Sequence, residues 1–176
     1  MRYRRAWQPG GTFFFTVTLK NRKQTLLTDH ITALRQAFTQ VRSRHPFDIN
    51  AVVILPEHLH TIWTLPEGDT DYAQRWRLIK SAFSRQLPVT EWRNQSRMYK
   101  GERGIWQRRY WEHLIRDDSD YHHHLNYIHF NPVKHGYADT VQDWPFSSFH
   151  RYVKAGVLPR DWACGGSEKN AASYGE

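Results

Sequence analysis

The 176-residue sequence lacks three features that mark large classes of protein. Its single cysteine, Cys164, excludes an internal disulfide and a zinc site built from several thiolates, which suits a reducing compartment. It has no run of about 18 apolar residues, and the first residues, Met1 to Ala6, lead into no apolar stretch of the signal-peptide kind. We therefore expect a soluble protein of the cytoplasm with no membrane partner.

Positive charge and aromatic rings are abundant instead. Lys and Arg number 25 against 17 Asp and Glu, and the chain carries eight Trp, nine Tyr and nine Phe. This combination favours a polyanionic partner whose bases can stack on side-chain rings. Nucleic acid is the predicted partner, and an anionic membrane surface is the weaker option.

Four runs rich in aromatic and β-branched residues predict strands. They span residues 12–19, 47–55, 58–65 and 106–115. The second and third runs are separated only by Pro56 and Glu57, which predicts an antiparallel hairpin.

Three amphipathic segments predict helices, and they span residues 28–44, 72–87 and about 118–130. Thr28 or Asp29 is the expected N-cap of the first, and one of residues 117–119 is the expected cap of the third. Because the residue before a proline avoids the helical region, the third helix is expected to end at Asn131 and Pro132. Residues 89–104 are predicted to form a mobile loop, and the chain from Tyr137 onward is predicted to be irregular.

The order of these elements predicts an α+β fold of the ferredoxin-like or RRM-like kind. In this fold an antiparallel sheet carries helices on one face, and the other face is open to a ligand. A further helix near the C-terminus and an irregular tail complete the prediction. We expect a catalytic domain over residues 1–136 and a tail over residues 137–176.

The sequence His58-Leu59-His60 lies in a predicted strand, where alternate side chains share a face. The two imidazoles can therefore hold one metal ion between them. Leu59 and Ile62 are expected on the opposite, buried face. Taken alone, such a pair is more often two histidines at the surface or at the edge of the core.

The third predicted helix carries His123, Tyr127 and Asn131 at intervals of four residues, which puts them on one stripe. A phenol and an amide oxygen could then face one metal ion. The alternative is that Tyr127 is a core residue and that His122 to His124 form a solvated surface. A zinc site made of those three histidines is disfavoured, because adjacent helical residues point about 100° apart.

Four separated motifs occur together in this sequence: 55–60 (LPEHLH), 106–113 (WQRRYWEH), 127–136 (YIHFNPVKHG) and 144–148 (WPFSS). With the opening PGGTFFFT at residues 9–16, they resemble the REP-associated tyrosine transposases of bacteria, which belong to the HUH single-tyrosine transposase superfamily. The likeness covers about residues 1 to 155. Glu57 stands where the family more often has Asn or Asp.

The resemblance implies an enzyme that nicks DNA and transfers the cut strand. It implies that His58, His60 and Asn131 bind Mg²⁺ or Mn²⁺ and that Tyr127 is the nucleophile, which forms a 5′ phosphotyrosine. The implied substrate is single-stranded or hairpin DNA from repetitive extragenic palindromes. A monomer associated with the bacterial nucleoid is expected.

Basic and aromatic residues of the second helix and the following segment are candidates for DNA binding. The basic candidates are Arg75, Arg77, Lys80, Arg85, Arg108 and Arg109, with Arg93, Arg97 and Arg103 of the loop in addition. The candidates for base stacking are Trp76, Trp92, Trp106, Tyr110 and Trp111.

Two other functions fit parts of the sequence. An RRM-like module could bind single-stranded nucleic acid without catalysis, but it would have no use for His58, His60 and Tyr127 together. A replication initiator or relaxase would share the chemistry, but such proteins are larger and carry a helicase region.

Overall fold

The computed structural model describes residues 7–163. Four strands form one antiparallel sheet in the order β2-β3-β1-β4. They are β1 (Thr12–Thr18), β2 (Asp48–Ile54), β3 (His58–Thr64) and β4 (Trp111–Leu114). The predicted α+β, ferredoxin-like sheet is confirmed, although β4 is shorter than the predicted fourth strand.

Two long helices cover one face of this sheet. Helix α1 (Leu26–Asp29) leads into α2 (Ile31–Arg44), and α3 (Tyr72–Arg85) follows the β2–β3 hairpin. The rings of Trp63 and Trp76 stack at 4.2 Å between centroids at the centre of this layer. The predicted capping role of Thr28 and Asp29 is wrong, because both lie inside α1 and α2 begins after His30.

The opposite face is covered by α5 (Asp118–Lys134), so it is less open than the sequence predicts. A second core forms there from Leu125, Tyr127 and Ile128 of the helix and Phe14 and Ile62 of the sheet. Ile62 thus shares a face with His58 and His60, and its predicted place on the other face is wrong. Strict alternation along β3 explains this, since Leu59 and Trp63 pack into the first core.

Helix α5 continues through the predicted stop at Asn131 and Pro132 and ends at Lys134. Asp117 caps its start by accepting a hydrogen bond from the Asp120 backbone N–H at 2.8 Å. Its end is a Schellman motif: Gly136 has φ +71°, and Tyr137 N donates to Pro132 O at 2.8 Å. Pro132 removes only one backbone donor, so the packed helix tolerates it.

Two segments have more structure than predicted. The predicted loop contains α4 (Gln95–Tyr99), and Arg103 ties it down through an ion pair with Glu91 at 2.6 Å. Beyond residue 137 lie a 3-10 helix (Val141–Asp143) and α6 (Phe149–Lys154).

The segment between that 3-10 helix and α6 is joined to the edge of the sheet. Ile54 N donates to Phe146 O at 2.9 Å, and Ser148 N donates to Val52 O at 2.8 Å. The domain boundary at residue 136 stays a prediction, and Cys164 lies outside the described residues. Among residues 7–163, no helix combines the length and the apolar character needed to cross a bilayer.

Candidate active site

His58 and His60 lie side by side on the α5 face of β3, and both are fully buried. Their ring centroids are 4.8 Å apart, and their planes are inclined by 79°. Because imidazole lone pairs lie in the ring plane, steeply inclined rings can direct them toward a common point.

The Nδ1 atom of each histidine already has a partner. Thr16 Oγ1 lies 2.8 Å from His60 Nδ1, and Glu57 Oε1 lies 2.8 Å from His58 Nδ1. Partners of this kind fix the ring orientation and direct Nε2 outward, as in many metal sites. His58 Nε2 is buried and has no hydrogen-bond partner among residues 7–163. This fits a nitrogen whose lone pair binds a metal ion.

Glu57 is a buried carboxylate in this arrangement. Burial by itself would raise its pKa, but the hydrogen bond and charge of His58 outweigh burial and lower the pKa to about 2. Tyr137 also donates to Glu57 Oε2, at 3.2 Å. Sequence analysis assigned Glu57 no role beyond its departure from the family pattern, although a carboxylate next to a candidate ligand could have suggested one.

Tyr127 projects from α5 toward the histidine pair. It is 2% exposed, and its ring centroid lies 5.1 Å from that of His60. Lys134 Nζ lies 3.3 Å from its phenolic oxygen. A buried phenol therefore stands beside the histidine pair, the arrangement that the family resemblance implies.

Asn131 lies one helical turn after Tyr127 on α5 and is fully buried. His135, the C-cap residue of the same helix, places its ring 5.2 Å from that of His58. The end of α5 therefore lies against the start of β3. Only the continuation of α5 beyond Asn131 brings His135 to this site.

A second cluster joins β4 to the start of α5. Asp120 bridges His113 at 2.8 Å and His124 at 3.0 Å, and these ligand atoms all lie within 4.8 Å of one another. Burial would raise the pKa of Asp120, but the bond from His113 lowers it below its usual value of 3.8. Burial lowers the pKa of His124.

The spacing of this cluster would suit a metal ion, but the ring directions do not. The His113 and His124 rings are nearly parallel, at 16°, so their lone pairs run side by side and do not converge. His124 Nδ1 also lies 2.8 Å from the Asp120 carbonyl oxygen, to which it donates. The cluster therefore acts as a hydrogen-bonded bridge, which the sequence analysis missed because it spans two elements.

The predicted DNA-binding cations fall into different settings. Arg75 is buried, pairs with Asp69 at 2.6 Å and donates to backbone carbonyls, so it is a structural residue. Lys80 donates to Gln107 O at 3.0 Å, and burial lowers its pKa to about 8. Arg77 and Arg85 are exposed on α3, which lies on the sheet face opposite Tyr127.

Arg108 and Arg109 are exposed just before β4. Arg108 pairs with Glu102 at 2.8 Å. Gln107 N bonds to Thr18 O, and Thr18 pairs with His58, so these arginines lie at the histidine end of the sheet.

The aromatic candidates also divide. Trp76 and Trp106 are buried, and Tyr110 packs against Phe15 on the α2–α3 side. Trp92 is 78% exposed and Trp111 is 45% exposed. Trp111 pairs directly with Thr16, so its side chain projects from the same face as Thr16 and His60.

Comparison with known proteins identifies the family of this chain. The family model for IS200-like transposases matches residues 12–131. The chain belongs to the IS200-like transposase family. This membership confirms the resemblance drawn from the motifs and the prediction of an enzyme of the single-tyrosine transposase class.

Relatives of this transposase cover nearly its whole length. The REP-associated tyrosine transposase of Escherichia coli K12 is 52% identical over 161 residues, which cover 92% of this chain and 90% of the relative. The corresponding relative from Haemophilus influenzae is 52% identical over 162 residues, with 91% and 92% covered. A solved structure of a REP-associated tyrosine transposase bound to a REP hairpin has a TM-score of 0.85 and 49% identity, and covers 100% of this chain and 97% of that one.

Proposed function

We propose that this transposase nicks and rejoins single-stranded or hairpin DNA through Tyr127, with a divalent cation held by His58, His60 and Asn131. The observation that carries the proposal is the buried phenol of Tyr127 beside the His60 ring, with both Nδ1 atoms of the histidine pair already engaged. The relative solved with a REP hairpin supports hairpin DNA as the substrate class.

The chemistry is a transesterification. The Tyr127 oxygen forms a bond to the scissile phosphorus, and the bond from phosphorus to the 3′ oxygen breaks. The products are a 5′ phosphotyrosine and a free 3′ hydroxyl. Because the covalent link keeps the phosphodiester energy, a 3′ hydroxyl can reverse the attack and rejoin the strand.

Two imidazoles and an amide can hold a divalent cation, which would supply Lewis-acid activation of the phosphate when bound. Mg²⁺ or Mn²⁺ is proposed from the family resemblance, since imidazole donors by themselves favour zinc or copper. Thr16 and Glu57 hold the two imidazoles in orientation. Helix α5 holds the Tyr127 phenol near them and limits the access of water.

The DNA is proposed to lie along the histidine end of the sheet. Trp111 offers a ring there for an unpaired base, and Arg108 and Arg109 offer charge for the phosphate backbone. Arg77 and Arg85 would contact a more distant part of a hairpin. Lys80 is a weaker candidate because it is half-buried and already donates to Gln107 O. We further propose that the protein acts as a monomer in the bacterial cytoplasm, associated with the nucleoid.

Tyr110 and Tyr121 lie close to Tyr127 in the sequence and are alternative candidates for the nucleophile. Burial and a bond with Tyr152 raise the pKa of Tyr121 well above its usual 10.0, which disfavours phenolate formation. Tyr110 packs on the α2–α3 side of the sheet, away from the histidine pair. Tyr127 is therefore the assigned nucleophile.

The test uses a hairpin oligonucleotide labelled 3′ of the expected cut, incubated with the protein and Mn²⁺ and separated on a denaturing gel. The wild type should give a labelled protein band. Tyr127→Phe should lose it, while Tyr110→Phe and Tyr121→Phe should keep it. Binding of the hairpin without any adduct in the wild type would favour the alternative of a non-catalytic, RRM-like binding module.

A further inference from the structure

The last turn of α5 brings the side chain of Lys134 into contact with Tyr127, the proposed nucleophile. Lys134 follows Tyr127 by seven residues, which is close to two full turns, so both project from the same side of the helix. Its Nζ lies 3.3 Å from the Tyr127 oxygen and 4.8 Å from the centre of the Tyr127 ring. The contact exists only because α5 continues through Pro132 and does not stop at Asn131.

The surroundings favour a strong electrostatic effect at this position. Tyr127 and Asn131 are buried, whereas Lys134 is exposed and reaches the phenolic oxygen from the rim of the site. Water screens its charge in the free protein, but a bound DNA strand would cover this rim and displace that water, so the ammonium would then act on the buried phenolic oxygen with less screening. Strand transfer builds up negative charge on the phosphate and on the oxygens that attack and leave, and a positive charge beside the Tyr127 oxygen would stabilise it.

We propose that Lys134 is a catalytic residue that stabilises the negative charge shared by the Tyr127 oxygen and the scissile phosphate during strand cleavage and rejoining. This inference rests on the proposed phosphotyrosine chemistry. The Tyr127 oxygen bonds to phosphorus as the 3′ oxygen leaves; the phenolic proton passes to water, and the leaving oxygen takes a proton from water. Lys134 keeps its own proton and acts by charge and hydrogen bonding.

The role predicts effects on both directions of the reaction. In cleavage the Tyr127 oxygen is the attacking group, and in rejoining it is the leaving group that gains negative charge. A cation at that oxygen should therefore speed both steps by similar factors. DNA affinity should depend much less on Lys134, since the backbone is held mainly by other cations.

The experiment measures single-turnover rates of adduct formation and of strand rejoining for Lys134→Met and Lys134→Arg. Lys134→Met should slow both steps about 100-fold, the order expected for loss of one charge-stabilising donor, with hairpin affinity within a few-fold of wild type. Lys134→Arg, which keeps the charge, should remain within about 10-fold. Lys154→Met, the same change on the exposed surface of α6, is the control and should behave as wild type.

The outcomes distinguish a failure of the proposed role of Lys134 from a failure of the proposed phosphotyrosine chemistry. Wild-type rates in Lys134→Met, or equal losses in Lys134→Met and Lys134→Arg, would overturn the role of Lys134 while leaving Tyr127 as the nucleophile. No adduct in the wild type would overturn the phosphotyrosine chemistry itself. If Lys134→Met fails to fold by circular dichroism, Lys134→Gln takes its place, with the same loss expected because the charge is gone.

Discussion

Glu57 and His58, neighbours in sequence, are joined by a hydrogen bond of 2.8 Å between the carboxylate and Nδ1 of the imidazole. The backbone turn between β2 and β3 brings the carboxylate back onto the first residue of β3. Because the carboxylate fixes the imidazole orientation, it should tune metal binding without being a ligand itself.

Glu57→Gln should therefore weaken Mn²⁺ binding by about 10-fold to 100-fold, the range found when an outer partner of a ligating histidine is removed. The measurement is a Mn²⁺ titration followed by electron paramagnetic resonance. Glu67→Gln, at an exposed position in the turn after β3, is the matched control and should leave the affinity unchanged. Unchanged affinity in Glu57→Gln would place the ion elsewhere.

The bridge of Asp120 with His113 and His124 should stabilise the start of α5. Asp120→Asn should lower the free energy of unfolding by about 1–3 kcal/mol, because it weakens two charge-assisted hydrogen bonds in a partly buried setting. Urea denaturation followed by Trp fluorescence measures this. Asp118→Asn, exposed in the same first turn of α5, should cost much less.

The pH dependence of that difference has a definite sign. The pKa of Asp120 is lower in the folded protein than its usual value of 3.8, so its contribution is complete above pH 3.8 and is lost as the pH falls below it. The difference in unfolding free energy between wild type and Asp120→Asn should shrink in that acid range. A difference that grows on acidification would contradict the assignment.

Two errors of sequence interpretation have identifiable physical causes. The helix stop at Asn131 and Pro132 followed from a local steric rule, but packing of α5 against the sheet and the Gly136 cap outweigh it. Ile62 was misplaced because its apolar side chain suggested one core, whereas the sheet has a core on each face.

Strand periodicity predicted that His58 and His60 share a face, and both lie buried on the α5 side of β3. The nucleophile role of Tyr127 followed from the family resemblance and stays a prediction. The contacts of Glu57, Lys134 and Asp120 were not predicted. Glu57 turns back onto His58 next to it, and Lys134 reaches Tyr127 only because α5 continues through Pro132. The bridge made by Asp120 depends on how β4 packs against α5.

Trp111 should contribute to binding of the single-stranded part of the substrate. Trp111→Ala should lose about 1–3 kcal/mol of affinity, the usual value of one base stacked on a ring, while Trp111→Phe should keep most of it. Fluorescence anisotropy with a hairpin that carries a single-stranded flank measures this. Trp7→Ala removes another exposed ring, at 77% exposure, and should have little effect.

The arginines should separate into two groups. Arg109→Gln should weaken DNA binding and reduce the slope of log affinity against log salt by about 1, as expected for one lost phosphate contact. Arg75→Met should instead destabilise the fold by about 1–3 kcal/mol, because it removes the ion pair with the partly exposed Asp69 and the hydrogen bonds to the backbone carbonyls of His45 and Pro46. A salt titration and a denaturation curve on both variants distinguish the groups, and the reverse pattern would contradict the placement of Arg75.

The covalent link itself is the central claim, and peptide mapping of the adduct tests it directly. Wild-type protein is incubated with Mn²⁺ and a flanked hairpin, then digested with a protease and a nuclease and analysed by tandem mass spectrometry. A nucleotide joined through its 5′ phosphate to the peptide that contains Tyr127 is the predicted result. The same nucleotide on Tyr110, on Tyr121 or on any residue other than Tyr127 would contradict the account.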